Sequence, residues 1–270
     1  MRSEEPDRAP AVTWWGHSTT SIELGDVTVA TDPLLTDRLY HLRRHAPAPP
    51  SDAARADVVL ISHLHHDHLH VPSLDSFAGE VPVVVPRGAP DVVRSLRGRA
   101  LVEVEPGDRV DVAGLDLEVL PAHHSGRRST FERGGDVPAI GFRFTDGRTS
   151  CWYPGDTGLT GMRETFEALE PVDLAAVPIG GWGPSLGDEH LDPEEAVEAL
   201  SQVGATWALA VHYGTFWPLW LKRLRPGNHH RLFVTPAQRF QRAMEAHRLE
   251  TTALTPDFGQ RVVLTPAGRA

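Results

Sequence analysis

Residues 61–70 read ISHLHHDHLH and place five histidines and one aspartate in ten positions, in a chain that carries fifteen histidines in 270 residues. The run before them, VVLIS (58–62), is apolar and β-branched and follows a polar stretch, so it reads as a buried strand. Its end delivers the chain to His63 just as the backbone leaves the sheet. His63 and His65 stand two apart on an extended segment, so their imidazoles project to the same side. Asp67 and His68 follow once the chain has turned and can reach a neighbouring point. Neutral imidazole and carboxylate suit zinc, and carboxylate also suits harder ions such as manganese or iron. The alternative is a solvated histidine-rich loop, which explains one histidine more readily than the whole pattern behind a strand.

Working outward, runs with strand character recur at 11–16, 19–25, 27–32, 58–62, 81–86, 101–121, 139–144, 150–156, 174–180, 207–214 and 260–266, punctuated by Gly-Asp, Asp-Gly and Pro-Gly pairs. Helical patterns occupy 90–97, 160–169, 193–203 and 236–247. The third is the clearest: Asp192 can cap it, Pro193 suits its first position, and Glu195 completes a capping box. Many strands come first and alternate with helices later. This predicts an α/β domain of stacked mixed sheets flanked by helices, with residues 1–10 as a tail and 11–270 as one domain.

The net charge of −10 disfavours a long polyanion such as DNA as a partner. The single cysteine, Cys151, excludes a disulfide within the chain and a cysteine-rich zinc module, so nitrogen and oxygen must hold any metal. The charged start MRSEEPDRAP lacks a secretory apolar core, and no run approaches 18 apolar residues. A cytoplasmic protein without a membrane span is the expectation.

The pattern His63-Leu64-His65-His66-Asp67-His68 resembles the HxHxDH signature of the metallo-β-lactamase superfamily, an αββα sandwich of metal-dependent hydrolases. LPAHHSGRR, YPGDTG and AVHYGTF supply the family's later histidine, aspartate and histidine as His124, Asp156 and His212. TWWGHSTTSIELGDVTVATDPLLTDR, VDLAAVPIGGWGP, HLDPEEAVEAL and VHYGTF are similar to one branch, the hydrolases related to N-acyl-phosphatidylethanolamine-specific phospholipase D. Ser125-Gly126 depart from that branch's large aromatic, and its animal members carry a longer N-terminus.

The resemblance implies two divalent ions, zinc first with manganese or iron as alternatives. His63, His65 and His124 hold one, Asp67, His68 and His212 the other, and Asp156 bridges both. His66, His70 and His123 are then spectators. It implies a phosphodiesterase working through a metal-bridging hydroxide on a small or lipid-like diester, with Asp67 and His190 as catalytic candidates. His190 would bind a substrate oxygen or donate a proton to the departing alkoxide; the alternative is that it merely closes its loop through a hydrogen bond. A lactonase similar to ascorbate-6-phosphate lactonase and an iron-dependent redox member of the fold are the alternatives.

Several residues sit around this set. Asp32, in ATDP, either orients a ligand histidine or makes a turn. His17 either supports the site or is a hydrogen-bonded core residue. Arg43-Arg44 and Arg127-Arg128 are the tight arginine pairs, and Arg127 is the better placed for a phosphate oxygen. FWPLWLKRLRP (216–226) either lines an apolar mouth, touches a lipid surface, or simply packs.

Overall fold

The computed structural model describes residues 8–128, 137–181, 186–218 and 220–265. Among the described residues seventeen strands run in chain order: β1 Ala11–Trp14, β2 Thr20–Leu24, β3 Val27–Thr31, β4 Arg38–Leu39, β5 Leu42–Arg44, β6 Val58–Leu60, β7 Val83–Pro86, β8 Leu101–Val104, β9 Arg109–Val112, β10 Leu115–Pro121, β11 Ile140–Thr145, β12 Ser150–Tyr153, β13 Val172–Pro178, β14 Ala205–Val211, β15 Phe216–Pro218, β16 Thr252–Leu254 and β17 Arg261–Val263. One seven-stranded sheet has the order β17-β1-β2-β3-β6-β7-β8, a second β16-β14-β13-β12-β11-β10-β9, and β15-β5-β4 form a small third. Both large sheets mix parallel and antiparallel pairs.

Side-chain alternation explains why the sheets stack. In β6, Val58 and Leu60 join the core between the sheets while Val59, and Ile61 just past the strand, face outward. In β14, Trp207, Leu209 and Val211 point inward and Ala208 and Ala210 outward. Each strand is therefore apolar on both faces, as a strand covered twice must be. Outside the first sheet, Leu74, Ala89 and Leu96 from short helical turns, and Phe77 just after one, cover it. Outside the second, Phe166, Val197, Leu200, Phe240 and Met244 do so. The result is the expected four-layer αββα sandwich.

Helix Pro193–Val203 forms with the expected cap: Asp192 accepts from Glu194 N and Glu195 N, and Glu195 Oε2 accepts from Asp192 N at 2.9 Å. Helix Pro236–His247 also forms over its expected length. Two expectations change. The pattern at 90–97 is one helical turn, Ala89–Val92, then a 3-10 turn, Arg94–Leu96, because Val93 leaves the helical region (φ −109°, ψ 80°). The pattern at 160–169 is helical only from Arg163 to Ala168, since Gly161 takes a left-handed φ of 75°. Of the 1–10 tail, residues 1–7 lie outside the described residues, and Pro10 O accepts from Leu264 N at 2.7 Å. Among the described residues no helix is long and apolar enough to cross a membrane.

The topology selects one edge for chemistry. β1, β3 and β6 run the same way in the first sheet, and β10, β12, β13 and β14 the same way in the second. Their C-terminal ends deliver His17, Asp32, His63, His124, Asp156, Gly180 and His212 to the loops at that edge.

Candidate metal centre

His63 is fully buried, and Ser62 Oγ lies 2.9 Å from its Nδ1. Ser62 gives its hydroxyl proton to Asp32 Oδ2 at 2.5 Å, so Oγ must accept from His63 Nδ1–H. The Nε2 lone pair of His63 then faces inward. The same logic fixes the other rings. His68 Nδ1 donates to Asp32 Oδ2 at 2.6 Å, His124 Nδ1 to Glu189 O at 3.0 Å, and His212 Nδ1 to Gly180 O at 2.8 Å. Each presents Nε2 to the centre, as ligand histidines with a tied outer nitrogen do.

The inward atoms gather in two halves. His63, His65 and His124 form one group and His17, Asp67, His68 and His212 another, with the ligand-capable atoms of each group within 4.8 Å of one another. His65 Nδ1 stands 2.9 Å from His63 Nε2 and 3.1 Å from His124 Nε2. One proton on His65 Nδ1 can serve only one of those neighbours, and the remaining lone pairs repel. Donors converging on one tetrahedral zinc at about 2.0–2.1 Å sit about 3.3 Å apart, close to these separations. Asp156 stands between the halves. Its Oδ2 is 3.1 Å from His212 Nε2, 3.2 Å from His68 Nε2 and 3.5 Å from His190 Nε2. Its Oδ1 is buried with no hydrogen-bond partner among the described residues. An unpartnered buried carboxylate oxygen is costly, and a cation would satisfy it. The donor set therefore fits divalent metal.

The electrostatics agree. Burial opposes charge on His68, yet Asp156, Asp32 and Asp67 outweigh it and push its pKa well above the usual histidine value. Burial likewise opposes ionisation of Asp156 and Asp67, but the imidazoles around them hold both well below the usual carboxylate range. Burial lowers His63 well below its ordinary value and lowers His65, while His124, buried beside His190 and His65, falls to about 4. The field that holds a proton on His68 is the field that attracts a dication.

Asp32 is the hub of the supporting network. It is fully buried, and it accepts from Ser62 N at 2.8 Å, Ser62 Oγ, His68 Nδ1 and the Tyr153 hydroxyl. The orienting reading of Asp32 is the one the geometry supports. Gly155, at φ 63°, lets the chain pass Ser62 just before Asp156; a Cβ there would lie 2.4 Å from Ser62 Cβ. His17 is buried beside His212, its Nε2 3.1 Å from Asp67 Oδ2, with burial lowering its pKa to about 4. His190 gives Nδ1 to Leu186 O at 3.0 Å. Burial opposes its charge, but its contact with Asp156 raises its pKa.

The expected spectators lie aside: His66 is edge-on to Tyr40 and His70 Nδ1 bonds Ser73 Oγ. His123 supplies a backbone N–H to Thr157 Oγ1. Arg127 is exposed in a cleft shared with His123 and His124, whereas Arg128 spends Nη1 on Leu64 O and Leu69 O and clamps the histidine loop. Arg44 donates to Thr36 O, Trp15 O and Leu34 O beneath Phe216, and its burial lowers its pKa to about 10; it is a structural clamp. Ser62, Tyr153 and Glu189 carried no signal in the sequence, and Arg128 stood out only as half of an arginine pair. Their partners lie 30 to 121 residues away for Ser62 and Tyr153, and about 60 for the other two. A second, narrow cleft opens at His17, Asp67 and His212, with Leu39, Leu42, Phe216, Trp217, Leu232 and Phe233 on its walls. Phe216 and Trp217 thus line an apolar mouth; residues 182–184 and 219 of the stretches quoted above lie outside the described residues.

Comparison with known proteins agrees with this geometry. A family model described as a beta-lactamase superfamily domain matches residues 28–213. An uncharacterized protein of Mycobacterium tuberculosis is 32% identical over 268 residues, which cover 93% of this chain and 68% of that protein. N-acyl-phosphatidylethanolamine-hydrolyzing phospholipase D 1 of Caenorhabditis elegans is 26% identical, covering 92% of this chain and 74% of its own. Among solved structures, a metallo hydrolase of Ignicoccus hospitalis superposes with a TM-score of 0.70 at 22% identity, covering 94% of this chain and 97% of its own, a likeness of fold.

Proposed function

We propose, since the chain belongs to the beta-lactamase superfamily and is a metal-dependent hydrolase of that fold, that its substrate is a phosphodiester and its cofactor a pair of divalent ions, zinc above manganese or iron. The observation that carries the dinuclear reading is Asp156, whose Oδ2 faces His68 and His212 while Oδ1 is buried without a partner. His63, His65 and His124 would hold one ion and Asp67, His68 and His212 the other, with Asp156 shared. Bound there, two dications supply a nucleophile at neutral pH and neutralise charge on the attacked group and the departing oxygen.

The chain's own residues do the rest. Asp32, through Ser62 and directly, holds His63 and His68 with their Nε2 atoms inward. Glu189 and Gly180 do so for His124 and His212 through their carbonyls. His190 spends Nδ1–H on Leu186 O, and in its charged form Nε2–H faces Asp156 Oδ2 at 3.5 Å, from where it would be passed to a departing alkoxide. Asp156 favours that charged form. The apolar walls beside Asp67 and His212 exclude water from one side of the reacting group. The diester reading is supported by the likeness to the nematode phospholipase D. Turnover of bis(p-nitrophenyl) phosphate against a lactone panel by zinc-loaded protein tests it. Hydrolysis of the diester is expected; hydrolysis of lactones alone would move the substrate to the carbonyl class.

A further inference from the structure

We propose that the rim of the apolar cleft is a docking surface for an anionic lipid bilayer. The inference starts from charge. Between residues 199 and 244 there is no aspartate or glutamate, where the chain's frequency of 36 in 270 would place about six. Lys222, Arg223, Arg225, Arg231, Arg239 and Arg242 lie in that stretch. Residues 38–51 likewise hold Arg38, Arg43 and Arg44 and no carboxylate. A chain of net charge −10 has thus cleared acid from two separate stretches.

The fold brings the two together. β15 pairs with β5 so that Pro218 stands opposite Leu42, and β5 turns back into β4 through Tyr40 and His41. The chain leaving β15 therefore emerges beside the hairpin tip. Behind it the segment is anchored, not loose: Trp217 packs on His229 and Phe233 at 5.3 and 5.8 Å, and Phe233 on His45 at 5.1 Å. Of the five large apolar side chains exposed among the described residues, three stand here: Tyr40 at 67%, Trp220 at 57% and Leu224 at 67%. Lys222, Arg223 and Arg225 are exposed among them, with no ion-pair partner among the described residues.

Exposed leucine and aromatic rings interleaved with unpaired cations match the two layers of a bilayer surface. The rings enter the interfacial region and the cations meet anionic headgroups. The acid-rich remainder is repelled by the same headgroups, which fixes the orientation. Nucleic acid would use the cations but leave Leu224 and Tyr40 exposed to water, so lipid is the better match. Docked this way, the cleft leading to Asp67 and His212 opens onto the bilayer. The surface is argued from charge and exposure and stands whether or not the substrate is a phosphodiester.

Cosedimentation of the full chain with vesicles tests it. Binding is expected to vesicles of phosphatidylcholine mixed with phosphatidylglycerol, to weaken with added salt, and to be far weaker on phosphatidylcholine alone. The double variant Lys222→Glu/Arg223→Glu should bind at least about tenfold more weakly. Trp220→Ser/Leu224→Ser should also lose binding, and both should melt with the parent, since all four side chains are exposed. Failure to sediment with anionic vesicles, equal binding to neutral ones, or binding unchanged in both variants would overturn the proposal. Retention on heparin without vesicle binding would assign the surface to a polyanion instead.

Discussion

Asp32→Asn is the perturbation with the best-defined consequence. The carboxylate is fully buried and receives four donors: Ser62 N, Ser62 Oγ, His68 Nδ1 and Tyr153 Oη. Oδ2 alone receives three of them. An asparagine must present NH₂ to one side or the other. Facing the Oδ2 side it meets three donors, and flipped it meets Ser62 N–H. At least one donor-to-donor contact results in either rotamer, and the charge paired with His68 disappears. Removing one partner of a buried ion pair costs about 3–5 kcal/mol, which for a chain of this length is a melting decrease of roughly 10 °C. The two rings it steers, His63 and His68, belong to different halves of the centre, so both should suffer. Loss of an outer partner of a ligand histidine weakens metal affinity by about 10–100-fold. Competition of zinc against a chromophoric chelator measures the affinities, and calorimetry the melting, with exposed Asp116→Asn as control. If Asp32→Asn binds zinc as the parent does and melts with it, the orienting role is wrong.

Other expectations follow from the same geometry. His190→Gln should keep its metal content and melting yet lose at least about tenfold in turnover of a diester with a poor leaving group, and less with p-nitrophenolate; equal losses on both would remove the acid role. In the metal-free chain His68 is held protonated above its ordinary value, so loading zinc near pH 7 should release about one proton from it, read by calorimetry in buffers of different ionisation heat. The sign for stability is also set: a raised folded pKa stabilises below the unfolded value of about 6.5, so metal-free protein should melt progressively lower as pH rises above it. An unchanged or rising melting temperature would contradict the assignment. Gly155→Ala should cost more than about 1 kcal/mol, because φ is 63° and the new methyl meets Ser62; a melt within error of the parent would refute the crowding.

How much of this was legible in the sequence divides by distance along the chain. His63, His65, Asp67 and His68 are readable because their spacing and the strand before them are local. His124, Asp156 and His212 each follow an apolar run, and the family resemblance supplies their pairing. The long helices were readable because each spans three turns with Pro at its start. Four of the short elements were not. β4, β5, β15 and β16 hold two or three residues each, too few for alternation to register. The supporting shell was hidden for another reason: Tyr153, Glu189 and Arg128 act on partners dozens of residues away, and neither a tyrosine nor even an arginine pair gives a hint of its target. His17 was left between two readings, and its contact with Asp67 across fifty residues is what only the fold could add.

The central claim is that two ions share Asp156. Anomalous diffraction from zinc-loaded crystals, collected above and below the zinc edge, tests it most directly. Two peaks per chain are expected, one touched by His63, His65 and His124, the other by Asp67, His68 and His212, with an Asp156 oxygen on each. A single peak at saturating zinc, or two peaks of which Asp156 touches only one, would contradict it.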